Sequence, residues 1–160
     1  MPETEEQQLQ SQTSRRNIEQ KRGQQAWKNV SDVKTKAKDK KDEKLEQEYR
    51  SLARGLNAMI QINGLGQTLG FLKAKSKGKN DEKKAHYFLL EHLTQWMQGH
   101  FTVANKDVLK DGYDGLLKWV IDEQTSSADY RRATTECMAF GMWLRRFAEG
   151  ELKASKQGEQ

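Results

Sequence analysis

The chain has 160 residues, a formal net charge of +5 and a pI near 9.2. That is enough length for one domain with a real core, and enough positive charge to favour a polyanion or an acidic protein as partner. Apolar residues make up only 34%, Pro2 is the one proline, and no alternating β-branched run is bounded by turn clusters, which excludes a sheet and favours long amphipathic helices.

Residues Met1 to Thr13 carry Glu3, Glu5 and Glu6 without a base and read as a disordered acidic, Gln-rich tail. A helical domain is expected over 14–153, followed by a polar disordered tail at 154–160. Ser14 is placed to cap a first helix from Arg15, with the stripe Ile18, Ala26, Trp27, Val30, Val33 and Ala37. The Lys-rich link over 34–44 is either a solvated helix end and turn or a phosphate-contacting loop. Leu45, Tyr49, Leu52, Ala53 and Leu56 mark a second helix, with Gly55 as its breaker. Next comes a continuous central helix from Leu56 to Lys75, with Met59, Ile62, Leu65, Leu69 and Leu72 on one face. Gly66 and Gly70 would admit a close neighbour there, and Lys73, Lys75, Lys77 and Lys79 form a basic comb at the end.

Asn80 or Asp81 is expected to cap a fourth helix with the face Ala85, Phe88, Leu89, His92, Leu93, Trp96 and Met97, ended by Gly99. Leu109, Tyr113, Leu116, Leu117, Val120 and Ile121 mark a fifth. Ser126 or Ser127 caps the last, whose seam is Tyr130, Ala133, Cys137, Phe140, Gly141, Leu144, Phe147 and Ala148. Met138, Met142 and Trp143 widen that seam, so burial on more than one side is expected. The expected fold is all-α, a compact bundle of about six helices in a single domain.

No catalytic constellation emerges. Gly64-x-Gly66-x-x-x-Gly70 follows no strand, so it is no dinucleotide loop. His86, His92 and His100 lack the spacing of a metal pair, and His92 falls on the core seam. Cys137, alone in the chain, reads as a buried, inert thiol and permits no intrachain disulfide. Asp107, Asp111, Asp114, Asp122 and Glu123 fit no cation-binding loop and read as a solvated face, or as contacts for a basic neighbour. No cofactor and no metal are expected. No apolar run approaches the ~20 residues of a membrane span and no secretory leader opens the chain, so a soluble cytoplasmic protein without membrane contact is expected.

What remains is basic charge. Arg15, Arg16, Arg22, Lys28, Arg50, Arg54, Lys73, Lys75, Lys77, Arg131, Arg132, Arg145 and Arg146 are the candidate phosphate contacts. Arginine forks two donors onto a phosphate and lysine supplies a mobile charge, and neither needs to read a base. The alternative is that some pair with acids such as Glu136 and Glu149. Arg131 and Arg145, fourteen residues apart, would lie on one side of the last helix.

Two stretches carry a resemblance. Tyr49-Arg50-Ser51-Leu52-Ala53-Arg54 precedes Met59-Ile60-Gln61-Ile62-Asn63-Gly64-Leu65-Gly66-Gln67-Thr68-Leu69-Gly70-Phe71-Leu72, and Tyr130-Arg131-Arg132-Ala133-Thr134 precedes Met142-Trp143-Leu144-Arg145-Arg146-Phe147-Ala148. With the helices around Ala26-Trp27 and His92-Leu93, they resemble the small subunit of the type III-B CRISPR effector, the Cmr RNA-silencing complex, in order from Arg15 to Leu152. Gly55 and Gly70 stand where that pattern has Pro and Ala. The resemblance implies an all-helical, non-catalytic subunit that stacks in several copies beside the backbone subunits, along the guide RNA and target RNA. Its partners would be those backbone subunits, the large subunit, further copies of itself and the RNA duplex. The competing reading is a helical protein–protein adaptor whose basic face docks an acidic protein and never meets RNA.

Overall fold

Thr4, not Ser14, starts the first helix. The structure is a computed structural model that describes residues 2–155, apart from the side chains of residues 14–16. In it α1 runs Glu5–Asp39, 35 residues. Gln7 N–H donates to Thr4 Oγ1 at 3.3 Å and Thr4 N–H to Gln7 Oε1 at 3.0 Å, a reciprocal capping box. Glu5 and Glu6 sit in the first turn, where carboxylates complement the helix dipole. A Glu- and Gln-rich composition that argues against a core is also helix-forming, and here the second property shows. Every side chain from Pro2 to Thr13 is nevertheless exposed. Of the C-terminal tail, residues 156–160 lie outside the described residues.

The Lys-rich link shrinks to a turn at residues 40–42, because α1 continues to Asp39 and Asp42 already caps α2 (Glu43–Asn63) by accepting from Leu45 N–H. Gly55 lies inside α2, so the expected breaker does not break it. The break falls at Gly64 instead, whose φ of +85° and ψ of 162° suit glycine alone. The central helix is therefore two helices, with α3 spanning Leu65–Ala74. This moves the buried face. Ile60 is buried and Ile62 is 80% exposed, whereas Leu65, Leu69 and Leu72 are buried as expected. Gly66 does meet neighbours, since a Cβ there would stand 3.4 Å from both Val120 and Tyr130 Oη, but Gly70 faces open space.

After α3 a short 3-10 turn (Lys79–Asp81) and an isolated antiparallel bridge between Lys77 and Lys83 lead to α4 (Ala85–His100). No side chain caps α4, so neither Asn80 nor Asp81 has the expected role; both adopt positive φ in the turn. The expected fifth helix is two short ones, α5 (Lys106–Leu109) and α6 (Gly115–Val120). Gly112, at φ +85°, turns the chain between them, and Gly115 packs so close to the Leu109 carbonyl that no Cβ would fit. Ser126 caps α7 (Ser127–Glu151) as expected, accepting from Asp129 N–H at 3.1 Å. Among the described residues there are seven α-helices and no strand, all serving one core cluster.

α7 is the strut. It packs on α1 along one side and on α2 along another. Its contacts with α1 (Arg22 to Glu136, Trp27 to Phe147, Lys34 to Glu151) rise together along both helices, so the two run parallel. Its contacts with α2 run in the opposite sense. Ala133, Cys137, Phe140, Leu144 and Ala148 are fully buried, while Met142 is 56% exposed and so does not widen the seam. Burial also pushes the Cys137 thiol well up from its ordinary value.

Where α2 meets α4, Tyr49 Oη and His92 Nδ1 lie 2.7 Å apart in the core. Burial drives the imidazole pKa down from 6.5 to about 3. The unfolded chain therefore binds the proton first, and the stability from neutral His92 is complete above pH 6.5 and is lost as pH falls from 6.5 towards 3. By pH 5 the loss should be roughly 2 kcal/mol. His92→Gln should flatten that part of a urea-midpoint against pH curve; an unchanged slope would place the acid sensitivity elsewhere.

Candidate nucleic-acid interface

At the end of the bundle where α7 begins, an open groove of about 570 Å³ lies between α1, the C-terminus of α4 and the first turns of α7. Arg131 and Arg132 line it with Arg22, His100 and Phe101. Arg131 and Arg132 are exposed because they fall off the Tyr130–Ala133 seam. Arg132 donates to Asp129 at 2.7 Å, and its guanidinium stands 4.7 Å over the Phe101 ring. Asp129 takes part of its charge, and the ring orients the fork, whose side chain stays 56% exposed.

Arg22 is differently employed. Its Nε and Nη2 donate to the two carboxylate oxygens of Glu136 at 2.7 and 2.9 Å, and Nη1 donates to Glu19 at 2.9 Å. Both side chains of the Glu136 pair are 15% exposed, and the bond to Glu136 raises the Arg22 pKa. Lys73 stays exposed but is also engaged, 2.8 Å from Asp114 and donating to Tyr113 Oη at 2.7 Å. Burial pushes the Asp114 carboxyl up, but hydrogen bonds from Lys73 and Lys118 outweigh it and hold that carboxyl below its usual value. These two cations hold the bundle together and face a ligand with little free charge.

The remaining candidates spread over several faces. Arg145 donates to Glu149 at 2.8 Å, and Arg54 of α2 lies 3.6 Å from the same carboxylate, with half-buried Arg50 one turn before it. Arg146 turns the other way, into a groove against α1 lined by Glu19, Met142 and Trp143. Neighbouring arginines thus lean towards different helices, Arg145 towards α2 and Arg146 towards α1. Arg131 and Arg145, fourteen residues apart in one continuous helix, share a side of α7. Lys28 is exposed in a groove between α1 and α4, and Lys75 and Lys77 are exposed after α3. The side chains of Arg15 and Arg16 lie outside the described residues.

The opposite end of the bundle carries basic residues that the candidate set lacked. Where α1 ends, α2 begins and the chain leaves α7, a groove of about 660 Å³ is lined by Lys34, Lys38, Lys41 and Lys153 around Ala37, with Glu43 and Glu46 at one side. The Lys34–Lys44 run signalled three of these lysines. Lys153 gave no local signal, because its place depends on the buried Glu46 carboxylate accepting its backbone N–H at 2.8 Å.

Among the described residues no group of three or more His, Cys, Asp or Glu side chains could hold a metal ion, and no helix is long and apolar enough to cross a membrane. The model of one sequence family, described as CRISPR-associated protein (Cas_Cmr5), matches residues 18–151. In fold, the chain is similar to the crystal structure of a CRISPR-associated Cmr5 family protein from Thermus thermophilus, with a TM-score of 0.60 and 24% identity over 84% of this chain and 97% of that one.

Proposed function

From the premise that this chain belongs to the Cas_Cmr5 family, and is a small subunit of a type III-B Cmr complex, we propose that it is a non-catalytic clamp on paired guide and target RNA. Copies stack along the duplex in the cytoplasm, beside the backbone and large subunits, and hold it through phosphate contacts. The observation that carries this reading is the groove of Arg131 and Arg132 at the start of α7. It is concave and exposed, and its two guanidinium groups project from the second turn of α7. That geometry suits phosphate oxygens of any sequence. Arg146, Lys28, Lys75 and Lys77 add exposed charge, whereas Arg22 contributes by fixing a wall of the groove through Glu136, and Lys73 is spent on Asp114 and Tyr113 elsewhere in the bundle.

The test is Arg131→Glu with Arg132→Glu in the reconstituted complex. Target-RNA retention should fall at least about tenfold, and the slope of log affinity against log salt should become shallower by about two units, one for each lost phosphate contact. Far-ultraviolet circular dichroism should not change, since both side chains are exposed. Wild-type retention and slope in the double variant would overturn the reading and favour an acidic protein as the occupant of this groove.

A further inference from the structure

The lysine groove and the acidic start of α1 lie at opposite ends of one helix. Glu5 and Glu6 belong to its first turn and Lys38 to its last, about 50 Å away at the α-helical rise. Neither end meets its counterpart within the chain. From Glu5 to Thr13 the chain is helical and its start is fixed by the Thr4–Gln7 box, yet all of its side chains are exposed, with Leu9 at 63%. Helical turns with no tertiary contact are marginal in water. An arm of this kind gains from a surface that its own bundle does not provide.

The groove is such a surface. Ala37 lines it with Lys34, Lys38, Lys41 and Lys153 against Glu43 and Glu46, so cations outnumber acids there. Lys34 and Lys153 pair with Glu151 and Glu43 at 3.3 Å, and Lys38 and Lys41 carry the excess positive charge. Its charge opposes that of Glu3, Glu5 and Glu6. A helix laid in a groove of complementary character is a recurring mode of recognition, and here the complementarity is mainly of charge. We infer that the acidic arm of one copy docks in the lysine groove of the next, head to tail. A contact between unlike ends of one helix is heterologous and propagates in a single direction. This rests on the proposed stacking of copies and supplies the contact that joins them.

Charge exchange in the full-length chain tests it. In one variant Glu3, Glu5 and Glu6 become lysine; in the other Lys38, Lys41 and Lys153 become glutamate. Self-association of the wild-type chain, read by sedimentation velocity at low salt, should weaken about tenfold or more in either variant alone. Mixing the two should restore it, because each arm then meets a groove of opposite sign. A wild-type chain that stays monomeric at millimolar concentration, or a mixture that gains nothing, overturns the inference. So does a groove variant that loses RNA while its self-association is unchanged, which would make the groove a phosphate contact. Failure of RNA retention in the Arg131/Arg132 variant is a separate outcome, since that variant leaves arm and groove intact.

Discussion

Trp96→Ala should destabilise the protein by about 3–5 kcal/mol, a large part of the 5–15 kcal/mol typical of a domain. Trp96 is 1% exposed. Its ring stacks on His100 with centroids 3.8 Å apart and on Phe140 at 4.9 Å, so it ties the end of α4 to the middle of α7. Its Nε1 also donates to Glu136 Oε2 at 3.4 Å, the oxygen that receives Arg22 Nε. Truncation leaves a cavity and removes one of the groups that fix the Glu136 carboxylate. His100 then loses its stacking partner, and with it part of the wall of the Arg131/Arg132 groove. Urea unfolding checks the size of the loss, and Trp27→Ala is the comparison. Trp27 is 47% exposed and packs edge-on against Phe147, so its loss should be about 1 kcal/mol. Equal effects at the two tryptophans would mean that the core is not centred on α4 and α7.

Gly64→Val should cost about 2–3 kcal/mol, through backbone strain rather than crowding. A Cβ at Gly64 would meet only Tyr130 Oη, at an ordinary 3.7 Å. The penalty comes from φ +85° with ψ 162°, a region almost closed to a β-branched residue. The kink frees the Gly66 N–H to donate to Tyr130 Oη at 2.9 Å and turns α3 onto α4 and α6. A chain forced straight at residue 64 would lose that bond and shift the start of α7 that carries Arg131. Gly70→Ala is the opposing control: it lies inside α3, faces open space and should gain up to about 1 kcal/mol. If both changes shift the thermal midpoint the same way, the kink is not the source of the effect.

The capping residue and the seam of α7 coincide at Ser126 and Tyr130, so that helix was legible almost to the residue. The kink was not. Ile62, Leu65, Leu69 and Leu72 keep helical spacing across Gly64, and nothing local distinguishes Gly64 from Gly55, which stays helical. What separates them is the packing of Leu65 and Gly66 against α6 and α7, far along the chain. The same holds for charge. Arg22 and Lys73 look like any exposed cations in sequence, and Glu136 and Asp114 become their partners only once the helices meet. At 109–121 the apolar spacing matched one helix, but Gly112 and the contact of Gly115 with Leu109 divide it. At the N-terminus composition pointed to disorder, and the Thr4 box starts a helix there instead.

The parallel pairing of α1 with α7 bears on how the chain is made. Arg22 and Glu136, 114 positions apart, must find each other for the bundle to close. Closing so long a loop is entropically unfavourable, and contacts of this separation slow folding. During synthesis α1 emerges well before α7. Until α7 leaves the ribosome, the stripe of Ala26, Val30 and Val33 is covered only by the helices made in between. Nascent chains halted before residue 127 are therefore the ones that chaperones should meet.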